Sequence, residues 1–253
     1  MHTNVNTTDP ILPRHSKIQL WATCLALSLA MPILFLSIQK LLALYVPAAL
    51  HGSVSQRYLI NVVISGGVPE WLTLLGLWLL MRSRAERFRD LGIWRVGTWY
   101  AWILALALAA LSAGNNVHIL QRFGVPLHSI FFPTGIHLFA ALFVGLTAGF
   151  CEEIIFRGYM MTKFAHEGYG KAIQVIVPGI FFGLMHISFI QTTHSVVAGL
   201  GIMIPTAVLG MLWGIAYLLG RRSLLPCIVA HFLNDSIGVA WMLFLMVSHT
   251  LHG

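Results

Sequence analysis

Four carboxylates fall inside long apolar runs of this chain: Glu70, Glu152, Glu153 and Asp235. The remaining acids, Asp9, Glu86, Asp90 and Glu167, sit in tails or loops of the sequence. A charged side chain at membrane depth costs on the order of 2.5–3.5 kcal/mol even on the lenient insertion scale, so each intramembrane acid is a functional candidate by default. The stretch GFCEEIIFRGYMM, Gly149 to Met161, sets two adjacent glutamates and an arginine among apolar residues. On a helix Glu153 and Arg157 stand at i and i+4 with the acid first, so they can pair on one face. Glu152 points about 100° away and is not answered along that ridge. A carboxylate facing a dry pocket is suited to general-base and then general-acid work. The competing reading of the trio is an ion-pair cluster that only joins helices.

Two histidines follow in later apolar runs. FFGLMHI, Phe181 to Ile187, puts His186 four residues after Phe182. PCIVAHFLNDS, Pro226 to Ser236, puts His231 four residues before Asp235. Each pair shares a helical face. A lone histidine on an apolar face is more often core than functional, but two of them beside an acidic pair weaken that reading. Depth supplies a check. Glu152, His186 and His231 lie 11, 15 and 9 residues from Lys163, Lys171 and Arg222 respectively. At about 1.5 Å per residue these are roughly 16, 22 and 13 Å in from the charged ends of a core about 30 Å thick, so the three can converge.

The elements that must carry these groups follow from composition. The chain has 253 residues, of which 58% are hydrophobic and 9% charged; a soluble domain carries about 25% charged residues. The expected fold is therefore all-α, a polytopic transmembrane bundle of seven to eight helices enclosing an intramembrane polar cavity. Apolar runs predict helices over 19–38, 58–81, 99–114, 137–162, 172–190, 197–219 and 224–247. PLHSIFFP, Pro126 to Pro133, reads as an interfacial or re-entrant piece, which leaves the count between seven and eight. The first run is too long for a signal-peptide core and is expected to be retained. Residues 1–17 read as a flexible cytoplasmic tail and 18–253 as a single membrane domain, with the motif-bearing core at about 137–247.

With the N-terminus inside, the inner segments hold twelve of the 15 cations and the outer ones only Lys40, Arg57 and Arg122. That bias orients the chain with a cytoplasmic N-terminus, in the plasma (inner) membrane. The net charge of +7 then reflects topology and attraction to anionic lipid. Nucleic acid is not an expected partner, because no basic face belongs to a soluble fold. Cys24, Cys151 and Cys227 form no CxxC pattern and read as small packing residues.

Several membrane-hydrolase chemistries are excluded. HEGYG at His166 lacks the second histidine of HExxH; Asp235 is the only intramembrane aspartate, so no aspartate dyad exists; no GxSG serine is present. A carboxylate with histidines remains, able to activate a water and to stabilise an oxyanion. In this order EEIIFR, FGLMH and HFLND resemble the EExxxR, FxxxH and Hxxx(N/D) motifs of the CPBP (CAAX protease and bacteriocin-processing, Abi) family of intramembrane proteases, which includes the type II CAAX prenyl endopeptidases. RDLGIWR after the second run is similar to that family's LGL-type loop. The motifs span about 85 residues.

The resemblance implies catalytic roles for Glu152, His186, His231 and Asp235. Glu152 would activate water with help from His186, and His231 and Asp235 would stabilise the oxyanion. Glu153 and Arg157 would hold the site together, and Phe182 would shape the pocket. The last motif position departs from relatives that carry Asn. An ionised Asp235 cannot donate to an oxyanion, so it either stays protonated or orients His231; Asn234 lies off the shared face and ranks below it. The implied substrate is a membrane-associated protein or peptide at the lipid bilayer.

No cofactor is expected on the favoured reading, a metal-free glutamate mechanism. The alternative is zinc on Glu152, His186 and His231. Two other functions compete: a non-catalytic immunity or scaffold protein that keeps the motifs as a polar cluster, and a proton-coupled transporter, for which no inverted repeat is found. Glu70, in GGVPEWL, reads as a structural or substrate-channel residue.

Overall fold

A computed structural model describes residues 17–47 and 51–249; the expected tail up to Ser16 lies outside the described residues. Among the described residues seven helices are long and apolar enough to cross a membrane. They are α1 (Lys17–Tyr45), α2 (Val54–Ser83), α3 (Trp99–Arg122), α4 (Gly135–His166), α5 (Lys171–Thr192), α6 (Val196–Leu219) and α7 (Leu225–Ser248). The PLHSIFFP stretch forms a helix of only five residues, Leu127–Phe131, so it is not an eighth span. The third span outruns its expected end at 114. The Asn115–Asn116 pair does not stop it, because Asn116 packs against α7, where a Cβ on Gly238 would come within 2.5 Å of the Asn116 Cβ. Gly124, at φ +81°, follows the Phe123 cap of the helix.

The outer surface of the bundle is apolar: Leu79, Ile103, Leu111, Val197 and Ile204 are all exposed, as lipid contact requires. Trp213, Tyr217, Phe156, Phe164 and Leu77 fill the interior. Glycines set the closest approaches. A Cβ on Gly149 of α4 would stand 2.9 Å from the Phe232 nitrogen of α7, and one on Gly183 of α5 would stand 2.6 Å from the Met203 carbonyl of α6. Small residues of this kind let helix backbones meet without a hydrophobic driving force between them.

Three spans widen locally into π-turns, at Ile60–Gly67 in α2, Ile154–Met160 in α4 and Asp235–Val239 in α7. Their closing bonds run from the N–H groups of Val68, Met161 and Ala240 to the carbonyls of Val63, Phe156 and Asp235, each five residues back. Each lies beside an intramembrane acid of the sequence. Such bulges rotate the side chains that follow them and recur at functional sites.

The α2–α3 connection, containing RDLGIWR, docks on the α6–α7 turn. Leu224 N–H donates to the Gly92 carbonyl at 3.2 Å, and Thr98 Oγ1 donates to the Leu219 carbonyl at 3.0 Å. Gly92 sits at φ +87°, and a Cβ there would collide with the Arg222 carbonyl. A buried Lys163–Glu86 ion pair fastens the same connection to α4.

Candidate active site

Arg157 begins the chain of contacts that builds the site. Its guanidinium lies 4.3 Å from the Phe182 ring centroid and 5.7 Å from that of Trp213. Nη1 donates to Glu153 Oε1 at 2.9 Å, and Nη2 to the Gly210 carbonyl at 3.1 Å. The i, i+4 pair expected from EEIIFR is therefore formed, although α4 widens between its members. Both residues are buried, Glu153 fully.

Glu153 Oε1 also accepts from His231 Nδ1 at 2.9 Å. With that nitrogen donating to a carboxylate, Nε2 is the imidazole's remaining polar atom, and it faces two more acids. Glu152 Oε2 lies 3.6 Å from it and Asp235 Oδ2 3.5 Å. Trp213 covers the ring, with centroids 4.7 Å apart. Asp235 Oδ1 is held by Asn234 Nδ2 at 2.7 Å. One continuous buried chain thus runs Arg157–Glu153–His231 and ends at Glu152 and Asp235.

Glu152 and Asp235 also face outward from that chain, into a cavity of about 170 Å³ between α1, α2, α4, α5 and α7. Most of its wall is apolar, including Phe35, Val144, Met185 and Phe189. Its titratable groups are Glu70, Glu152, His186 and Asp235. His186 Nδ1 lies 3.0 Å from the Phe182 carbonyl. A carbonyl only accepts, so Nδ1 carries the proton and Nε2 is the atom left for chemistry. Phe182 meets both histidines edge-on, at 5.6 Å from His186 and 5.9 Å from His231. The structure thus brings Glu152, His231, Asp235, Glu153, Arg157 and Phe182 into one cluster, with His186 on the same cavity.

Sequence reasoning ranked one contributor too low and passed over two. Asn234, ranked low for lying off the shared face, is the residue that holds Asp235. Trp213, which interfacial placement of tryptophans does not predict, is completely buried against His231 and Arg157. Ser65 lines the cavity from α2 beside Glu70, and its hydroxyl has no partner. Of these only Asn234 left a signal, as a second polar residue in HFLND.

Among the described residues no group of three or more His, Cys, Asp or Glu side chains is arranged to hold a metal ion, so Glu152, His186 and His231 do not form a ligand set. Cys24, Cys151 and Cys227 are all buried free thiols, as expected of packing residues.

Residues 133–237 match the family described as Rce1-like, type II CAAX prenyl endopeptidase Rce1-like. That range holds all three motifs and every member of the cluster above. No curated protein and no solved structure matches the chain.

Proposed function

Because residues 133–237 belong to the Rce1-like type II CAAX prenyl endopeptidase family, we propose that the protein is an intramembrane endopeptidase. It hydrolyses a peptide bond of a membrane-associated or lipidated protein or peptide, using a water activated by Glu152. One observation carries this reading: Glu152 lines the cavity while its neighbour Glu153 is taken up by Arg157 and His231. The cluster therefore has one glutamate for structure and one for chemistry.

In the proposed reaction Glu152 takes a proton from water as the oxygen attacks the scissile carbonyl carbon. His231 faces the developing oxyanion with Nε2, and His186 assists from the cavity wall. With Nδ1–H donating to Glu153, Nε2 can donate only when the ring carries both protons. Asp235, fixed by Asn234, orients that ring rather than donating to the oxyanion itself. Glu152 then returns its proton to the leaving nitrogen as the C–N bond breaks, giving a new carboxylate and a free amine. Arg157 and Glu153 act behind the site, holding the imidazole in register. No step runs through a metal.

The distribution of cations supports a plasma (inner) membrane protein with a cytoplasmic N-terminus. The experiment compares protein termini in membranes of cells carrying the wild type or Glu152→Gln. Termini present only with the wild type are expected; identical termini in the two would remove the protease reading in favour of a scaffold. Cleavage by purified protein should survive a zinc chelator, and its loss and recovery with added zinc would overturn the metal-free mechanism.

A further inference from the structure

The α2 wall of the cavity contains groups that the proposed chemistry does not use. Glu70 Oε2 and Ser65 Oγ are both buried without a hydrogen-bond partner, and Ser65 has no exposed surface. Both residues line the cavity into which Glu152 and Asp235 face. Sequence and local structure explain why they share that wall. They are five residues apart, and the π-turn between Ile60 and Gly67, closed i to i+5 by Val68 N–H and the Val63 carbonyl, brings residues at that spacing towards one face. Pro69 between them has no N–H, so this wall also lacks a backbone donor.

An unanswered carboxylate at membrane depth requires a cause. Among the described residues no basic side chain pairs with Glu70 Oε2. Arg157 is held by Glu153 and the Gly210 carbonyl. His231 stands against Glu152, Glu153 and Asp235. Both basic groups of the cluster are thus engaged by other acids, and neither answers Glu70 Oε2. That unanswered atom belongs to the cavity wall. The cavity's volume of about 170 Å³ compares with ~30 Å³ for one water, so it admits a side chain.

We propose that Glu70 and Ser65 form a subsite that takes a basic side chain, lysine or arginine, of the substrate beside the bond to be cleaved. The ammonium or guanidinium donates to Glu70 Oε2, and its charge holds that carboxyl group ionised. Ser65 Oγ accepts a second N–H from the same group. The apolar wall receives the methylene stem of the side chain, as such stems pack along apolar surface with the charge at the tip. This inference rests on the protease reading for the identity of the occupant, but its test does not depend on turnover.

The test measures binding of a palmitoylated Ala/Leu-rich decapeptide with one arginine, and of its citrulline twin, to the full-length Glu152→Gln protein in lipid nanodiscs. Citrulline keeps the shape of arginine and removes the charge. The arginine peptide is expected to bind about tenfold more tightly, a ratio within reach of one charge-assisted hydrogen bond. Adding Glu70→Gln should bring the two affinities together while the citrulline peptide binds as before, which also shows that the variant is folded. Equal affinities at the outset, or an arginine preference that survives Glu70→Gln, would overturn the subsite. Cleavage of both peptides by wild type is scored in parallel. A Glu70-dependent preference without cleavage would sink the protease reading and leave the subsite standing; cleavage without preference would do the reverse.

Discussion

The two sides of His231 differ in what their polar groups face. Behind the ring, Arg157 and Glu153 answer each other, the Gly210 carbonyl and the imidazole. In front, Glu152 and Asp235 stand 3.6 and 3.5 Å from Nε2, and across the cavity Glu70 and Ser65 keep buried atoms without partners. Natural proteins pair most of their buried polar groups. Glu153 Oε2 and Trp213 Nε1 behind the ring also lack partners, so the cavity sets the sides apart. Glu70, Ser65, Glu152 and Asp235 border space a substrate can enter, and the side behind the ring, away from that space, reads as scaffold. That contrast separates two neighbouring glutamates that composition treats alike.

The contrast can be broken most sharply at Glu152. Glu152→Gln should lower kcat/KM for peptide cleavage by about 10²–10⁴-fold, the usual contribution of a general base, and leave the melting temperature in detergent unchanged. A large loss of stability instead would assign Glu152 to the scaffold. Next in size is Arg157→Ala, which leaves a buried Glu153 unanswered and should cost about 3–5 kcal/mol of stability, read from denaturant unfolding or expression in the membrane. Glu153→Gln keeps the shape and weakens the hold on the imidazole. Its expected effect is a drop of about 10–100-fold in kcat, as for other outer partners of a working histidine, with KM little changed. The smallest effect belongs to Ser65→Ala. Removing an unpartnered buried hydroxyl should shift unfolding free energy by no more than about 0.5 kcal/mol, or stabilise slightly. A clear loss there would mean that Ser65 belongs to the scaffold and that the front wall is not open.

Spans and motif residues were legible for simple reasons. Apolar run length marks a membrane helix without reference to its neighbours, and seven runs became seven helices. The i, i+4 offsets in EEIIFR and HFLND fixed which groups share a face, and counting from the flanking cations fixed their depth. What escaped depends on contacts between helices. The three π-turns shift the hydrogen-bond register from i+4 to i+5 without disturbing apolar periodicity. Glu70 joins the site because α2 packs beside α4 and α7, which no spacing within GGVPEWL specifies. Trp213 resembles any interfacial tryptophan until α6 turns it inward. The third helix runs past 114 because Asn116 packs against Gly238, more than a hundred residues away.

The central claim is that Glu152 activates the water while Glu153 holds the scaffold, and single-turnover cleavage of a membrane-anchored peptide by purified protein in liposomes tests it most directly. The account predicts a new C-terminal carboxylate with the wild type, slower formation of the same product with Glu153→Gln, and essentially none with Glu152→Gln. Cleavage that persists in Glu152→Gln and disappears in Glu153→Gln would contradict it.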